Sequence, residues 1–486
     1  MGYDSGMDTL APSRKTAALL NALAVLMGVI GAMGLAWAAL YRPEFADQII
    51  ALSAISFTLA LIYFDPLLAF LVWLFFIPFA PFGRFDLHMP EGIPDLSYTR
   101  VVGSVLAVYL FAQIALGRRK LLTPTFFDLA LPFFVIPLLW SAMRGYLGWL
   151  WGLQSTFDAF LIPLLAYFIA RQLITQPENF PKLAKTAVGI ALVIAVAAII
   201  EQATGIAPFR IGTTTRIYTG DIRKVASFLG NPAYVGLALA VATPPAIMLA
   251  IESKHHLHKA GYLLALVVLE IGILSTFNRS AILGGTLGPL TFSILNRRLL
   301  KYVLPVILAI VLAVGLSWSA LEDTSIGRRL GSESPIDYRL EAMQTGLEIH
   351  KSAPYWGVGW GWFGRLAAGK GFRENGVNVL STTHNSYLNL LVSGGYALLG
   401  GYLLMILGLG ATLILIGWPR RKARRFFPLY IQMAFGNLVA YFIPIAFFDN
   451  TFSGYANLLF FALMGGVISA TLGGGSHTDS SSEFVK

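Results

Sequence analysis

Fourteen long apolar runs follow one another along this 486-residue chain, and about 20 mainly apolar residues are what one bilayer crossing requires. They lie at 17–41, 48–64, 66–82, 100–117, 125–143, 156–171, 183–203, 232–252, 259–276, 280–296, 300–319, 384–417, 426–447 and 453–471. In hydrocarbon every backbone amide must be satisfied within the protein, which leaves helices and closed barrels. Barrel strands alternate in polarity at every second residue, and these runs do not. The expected fold is all-α, a polytopic helical membrane protein with about 14 transmembrane helices. Only 12% of the residues are charged and the mean hydropathy is +0.69, against about 25% charged in soluble domains, so a water-soluble enzyme and a disordered chain are excluded. The absence of cysteine removes disulfides, thiolate nucleophiles and Cys-ligated metals.

Connector charge sets the expected orientation, because Lys and Arg concentrate in short cytoplasmic loops. Threading the spans alternately puts Arg118-Arg119-Lys120, Arg297-Arg298 with Lys301, and the cluster from Arg420 to Arg425 on one side, with Arg14 and Lys15. Both termini are then cytoplasmic. The first run is too long for a signal-peptide core and reads as an uncleaved helix. The net charge of +10 is thus mainly a topology signal, and no soluble element carries a basic face for nucleic acid.

On the opposite, outer side the loops are short except for 204–231 and 320–383. The second is too rich in aromatics (Tyr355, Trp356, Trp360, Trp362, Phe363) to be disordered. Ser334-Pro335-Ile336-Asp337 starts a helix by capping chemistry, and it runs to about Lys351. Its narrow apolar stripe, Ile336, Leu340, Met343 and Leu347, suits a helix lying on the bilayer surface, with Arg339 at headgroup depth. Arg279 follows a capping Asn278 at the start of the tenth span, and His384 opens the twelfth. Ser393-Gly394-Gly395 should kink that span soon after its start. Arg223 precedes Asn231-Pro232, the start of the eighth span. Taken singly, each cation reads equally as a headgroup anchor and the histidine as structural. Together, Arg223, Arg279, Arg339 and His384 come from separate stretches and meet one membrane face. Fixed guanidinium forks suit a diphosphate, and an imidazole can take a proton from an attacking hydroxyl. Group transfer from a lipid diphosphate is the expected chemistry.

Other features carry less. Gly359-Trp360-Gly361-Trp362-Phe363-Gly364 matches a dinucleotide fingerprint, but no strand precedes it. It reads as a turn shaping an acceptor cleft, its tryptophans stacking on sugars or anchoring at the interface. His255, His256 and His258 read as solvated loop, and Asp128 and Asp158 as solvated span ends. Glu270, inside the ninth span, is a functional candidate by position. At about 13 Å along the axis from Arg279 it is too far for direct pairing.

The order Arg-x-x-x-Ser-Phe-x-Gly-Asn-Pro (223–232), Asn278-Arg279-Ser280, Tyr338-Arg339-Leu340-Glu341, Gly357-Val358-Gly359-Trp360-Gly361 and Thr383-His384-Asn385-Ser386-Tyr387-Leu388 resembles the O-antigen ligase and O-antigen polymerase family, most clearly over residues 210–450. The resemblance implies a C-type glycosyltransferase fold with a large periplasmic loop, in the bacterial inner membrane. It implies metal-independent, inverting transfer from an undecaprenyl-diphosphate-linked saccharide at the periplasmic face, with no cofactor. The acceptor is a lipid-linked saccharide in a polymerase or a lipid A core sugar in a ligase. A polymerase of O-antigen or exopolysaccharide is slightly favoured, an O-linked protein glycosyltransferase belongs to the same family, and a chain-length regulator is a further conceivable partner beside the membrane lipids. Family roles map onto Arg279 and Arg339 as catalytic, diphosphate-binding residues, onto His384 near the acceptor hydroxyl, and onto Arg223 and Asn385 as substrate-binding. Residues 1–120 match poorly, 121–472 form the core with loop 320–383, and 473–486 are a cytoplasmic tail. The rival class is a lipid-linked oligosaccharide flippase, which leaves unexplained the single long structured loop and the lack of two similar halves.

Overall fold

The computed structural model describes residues 43–79, 86–87, 96–207, 218–219, 222–223, 225, 227–301, 334–371, 382–424, 427–449 and 454–473. The expected spans at 17–41 and 300–319, the start of the long loop and the C-terminal tail lie outside them. In chain order the helices are α1 (Pro43–Phe64), α2 (Pro66–Phe76), α3 (Tyr98–Ala115), α4 (Phe126–Met143), α5 (Trp149–Thr156), α6 (Ile162–Leu173), α7 (Phe180–Thr204), α8 (Pro232–Glu252), α9 (His256–Ser275), α10 (Arg279–Leu295), α11 (Ser334–Lys351), α12 (Phe363–Gly369), α13 (Ser386–Arg424), α14 (Leu429–Phe442) and α15 (Gly454–Gly473). A π turn, Phe157–Leu161, joins α5 to α6. The strands form two antiparallel two-residue pairs, β1 (Asp86–Leu87) with β2 (Leu96–Ser97) and β3 (Tyr218–Thr219) with β4 (Ile222–Arg223).

Among the described residues nine helical segments are long and apolar enough to cross a membrane. They correspond to nine of the expected spans; α1, α2 and the 17-residue α10 occupy three more. The protein is an all-α polytopic membrane protein. α8 and α15 are almost wholly buried, whereas α9 lies at the periphery.

Hydrocarbon gives helices no hydrophobic reason to associate, so close backbone approach must hold them together. Small residues supply it: Gly284 and Gly288 of α10 face Ala440 of α14, Gly401 of α13 meets the Phe133 carbonyl of α4, and Gly465 of α15 meets that of Tyr167 in α6. A methyl group would fit at none of these contacts.

Asp128 and Asp158 keep contact with solvent, as expected, but each is also ion-paired. Asp128 completes a capping box with Thr125, accepts from the Tyr167 hydroxyl at 3.0 Å, and pairs with the buried Arg171. Asp158, in the π turn, accepts two hydrogen bonds from Arg100 at 2.7 and 2.5 Å. Each carboxylate is held by an arginine from a helix distant in sequence, a partner that local pattern does not reveal.

α13 breaks where expected. Gly395 has φ 66° and ψ −161°, a conformation essentially reserved for glycine. The break strands backbone groups at membrane depth, where they must find protein partners. The segment 354–359 supplies them. Carbonyls of Pro354 and Tyr355 accept from the amides of Tyr396 and Ala397 (2.8 and 3.1 Å), and the Val392 and Ser393 carbonyls accept from Val358 and Gly359 (2.9 Å each). The Ser141 hydroxyl at the end of α4 also donates to Ser393 O at 2.8 Å.

Candidate functional site

Three helices start at one end of the bundle, each capped by asparagine. Asn231 accepts from Ala233 N at 2.9 Å to open α8, Asn278 from Ala281 N at 3.0 Å to open α10, and Asn385 from Leu388 N at 3.0 Å to open α13. Gly236 lies against Ala281, which joins the first turns of α8 and α10. Phe448 brings in the third: its carbonyl accepts from the Ser386 hydroxyl at 3.0 Å, and its ring lies 6.4 Å from that of Tyr234. The first turns of α8 and α13 therefore meet at Phe448, and that of α10 lies against α8, so three helix starts with free amides and positive dipole ends are neighbours at this end.

The turns leading into these helices are strained. The non-glycine residues with positive φ among the described residues are Ser227 (42°), Phe277 (47°) and His384 (52°), and one precedes each cap. Left-handed backbone costs a non-glycine residue about 1 to 3 kcal/mol and persists where the surroundings over-determine it, commonly at active sites. Buried polar groups brace all three. Thr276 accepts from Asn278 N at 3.2 Å, Thr383 donates to Asn385 O at 2.7 Å, and Glu201 of α7 accepts from Ser227 N at 2.6 Å.

Arg279 is the first residue of α10, half-buried, as its place after Asn278 predicts. His384 lies two residues before α13 rather than in its first turn, because Asn385 is the cap and the left-handed turn places the histidine before it. The Asn385 side-chain carbonyl is engaged in that cap, a use that the helix-start pattern did not separate from substrate binding. α11 spans the residues predicted for it. It packs through Ala342, Gly346 and Ile349 on Leu388 and Val392, and a methyl group at Gly346 would also touch Thr383. Arg339, half-buried, lies two turns before Gly346, about 10.5 Å along the axis and within about 60° of the packed face. Leu340 and Leu347 of the predicted stripe are exposed, which leaves that face open to lipid. Arg279, Arg339 and His384 all interact with neighbouring groups. Arg223 is the last residue of β4; its backbone alone is described, four residues before the Ser227 turn.

The glycine-rich turn does not offer Trp360 to a sugar. Trp360 is fully buried against Phe160 (6.0 Å), Trp360 N donates to Ser141 O, and Tyr146 N donates to Trp360 O. Positive φ at Gly357 and Gly359 lets the turn press on Ser393 and Arg144. Arg144 binds the Gly357 and Trp356 carbonyls and lies over Trp140; partial burial lowers its pKa from the usual arginine value. The exposed Trp356, Tyr355 and Tyr396 fit the interface-anchor alternative. The histidines at 255, 256 and 258 are exposed, as expected. Glu270 rests against Gly285 across the α9–α10 seam, not on Arg279.

Sequence reasoning missed Glu201, Phe448 and Asp449. Asp449 is buried next to Phe448 and close enough to Tyr234 to act on it electrostatically. Burial of a carboxylate inside this end of the bundle depends on the convergence of helices and left no mark in the spacing.

The fold defines a multi-pass membrane protein. The family model described as O-antigen ligase matches residues 263–403, from within α9 into α13. The match supports the O-antigen ligase and polymerase family and a membrane glycosyltransferase-type activity. The matched segment contains Arg279, Arg339, His384 and Asn385; Arg223 precedes it. No curated protein matches the chain.

Proposed function

We propose that the protein transfers a saccharide from an undecaprenyl-diphosphate carrier to an acceptor hydroxyl at the periplasmic face of the bacterial inner membrane, with inversion and without a metal. The observation that carries the reading is the set of three neighbouring asparagine-capped helix starts, each entered through a strained residue. Amides and dipoles there favour an anion, and Arg279 adds full charge in the first turn of α10. Arg339 approaches on α11 and Arg223 on β4. All three hold the diphosphate, and Arg279 and Arg339 take up the charge that grows on it as the glycosidic bond to phosphate breaks. His384 receives the proton of the acceptor hydroxyl as its oxygen bonds to the anomeric carbon from the opposite side. The family match gives no support to the flippase alternative. A polymerase remains slightly favoured over a ligase, on the additional spans of the N-terminal part.

The test is reconstitution in proteoliposomes with labelled undecaprenyl-diphosphate oligosaccharide and EDTA. A ladder of longer lipid-linked products, absent in Arg339→Ala and His384→Ala, is expected for a polymerase. Product only with lipid A core makes it a ligase, and label crossing the bilayer without a new glycosidic bond overturns transfer.

A further inference from the structure

Two of the three strained turns are braced from within, by Thr276 and Thr383, each one residue from the strained position. The third is braced from another helix. Glu201, the last acidic residue of α7, is fully excluded from solvent, and its Oε2 accepts from the backbone of Ser227, 26 residues on, at 2.6 Å. The Ser227 hydroxyl donates to Ile194 O one helical stretch earlier on α7 (3.3 Å), and the Phe228 ring packs edge-on against Phe79 at 4.8 Å. The turn that links β4 to α8 is thus nailed to α7 at two points, one of them a carboxylate. Burying a carboxylate is costly unless it accepts strong hydrogen bonds, and an apolar residue would fill the same space without that cost. A backbone amide held by a charged acceptor is about twice as strongly bonded as one held by a neutral group.

We infer that Glu201 is a positioning residue for the donor: it fixes the left-handed Ser227 and, through it, the placement of Arg223, four residues earlier on β4. This rests on the transferase reading above. Arg223 would meet the diphosphate equally in the ground state and the transition state, so loosening its support weakens donor binding and leaves the chemical step alone. A carboxamide keeps the shape and a weaker bond; alanine keeps neither.

The experiment pairs steady-state transfer kinetics with amide hydrogen exchange on the full chain in lipid nanodiscs, for wild type, Glu201→Gln and Glu201→Ala. The expected result is a graded rise in donor KM, about threefold for Gln and at least tenfold for Ala. It comes with kcat within twofold and with faster exchange confined to peptides containing Ser227. A fall in kcat at unchanged KM overturns the proposal, since loss of active molecules is what a packing group would give. Unchanged exchange at Ser227 overturns it too. So does faster exchange throughout the helices, which would make Glu201 a support of the whole bundle. Absence of transfer by the wild type defeats the transferase reading instead, and the exchange arm still decides whether Glu201 holds the turn.

Discussion

The two ends of the bundle handle polar groups in opposite ways. At the end away from the site, Arg171, Asp128, Tyr167 and Thr125 bond to one another; the Thr123 carbonyl accepts from Arg171 at 3.0 Å, and the Ser469 hydroxyl donates to Arg171 O at 2.7 Å. α4 starts there with ordinary capping dihedrals, and the nearby positive φ belongs to a glycine, Gly117. At the site end Ser227, Phe277 and His384 are forced into left-handed backbone although glycine would sit there without strain. One end spends its polar groups on closing the fold. The other holds strain in place, which is what a site that must present fixed donors to a ligand requires.

The largest effect expected from this contrast is at Arg339. Arg339→Ala lowers transfer by about 10²- to 10³-fold, the scale of losing one charge-stabilising donor, and leaves the thermal midpoint of the purified protein unchanged. Arg339→Lys does not restore the rate, because a point charge does not replace a planar fork. Asp128→Ala does the reverse: stability falls by about 3 kcal/mol as Arg171 loses its partner, while the rate per folded molecule holds. Calorimetry beside active-site-normalised rates separates the two, and a rate loss in Asp128→Ala would erase the distinction between the ends.

Gly395→Ala tests the join between loop and bundle. A Cβ there meets the backbone of Tyr355, and the left-handed conformation adds about 1 to 3 kcal/mol. Limited proteolysis should cut near residues 352–362 faster in the variant, with α4 and α15 still resistant. Smallest in energy is His384→Gly, which relieves the strained turn and should raise stability by about 1 kcal/mol while transfer is lost. A drop in stability would mean that the histidine serves packing first.

Much of the plan was legible in the residues. The spans among the described residues were, because hydrocarbon tolerates only long apolar helices; so were α11, from its capping chemistry, and the break in α13, from Ser393-Gly394-Gly395. Arg279 stood where its cap predicted. Other features were not legible because their partners lie far along the chain: Asp158 with Arg100, Asp128 with Arg171, and Trp360, whose burial against Phe160 no local pattern reveals.

What the sequence determined by itself was therefore every feature fixed by neighbours within a turn or two: membrane crossing, helix starts, the broken helix and the choice of cations at helix mouths. The tertiary structure alone decided that two of those mouths meet at Phe448 with the third beside them, that Glu201 reaches Ser227, and that His384 takes a left-handed backbone. These depend on contacts between segments tens to hundreds of residues apart. Such contacts are set by how glycine and alanine let helices approach, and that geometry has no period along the chain.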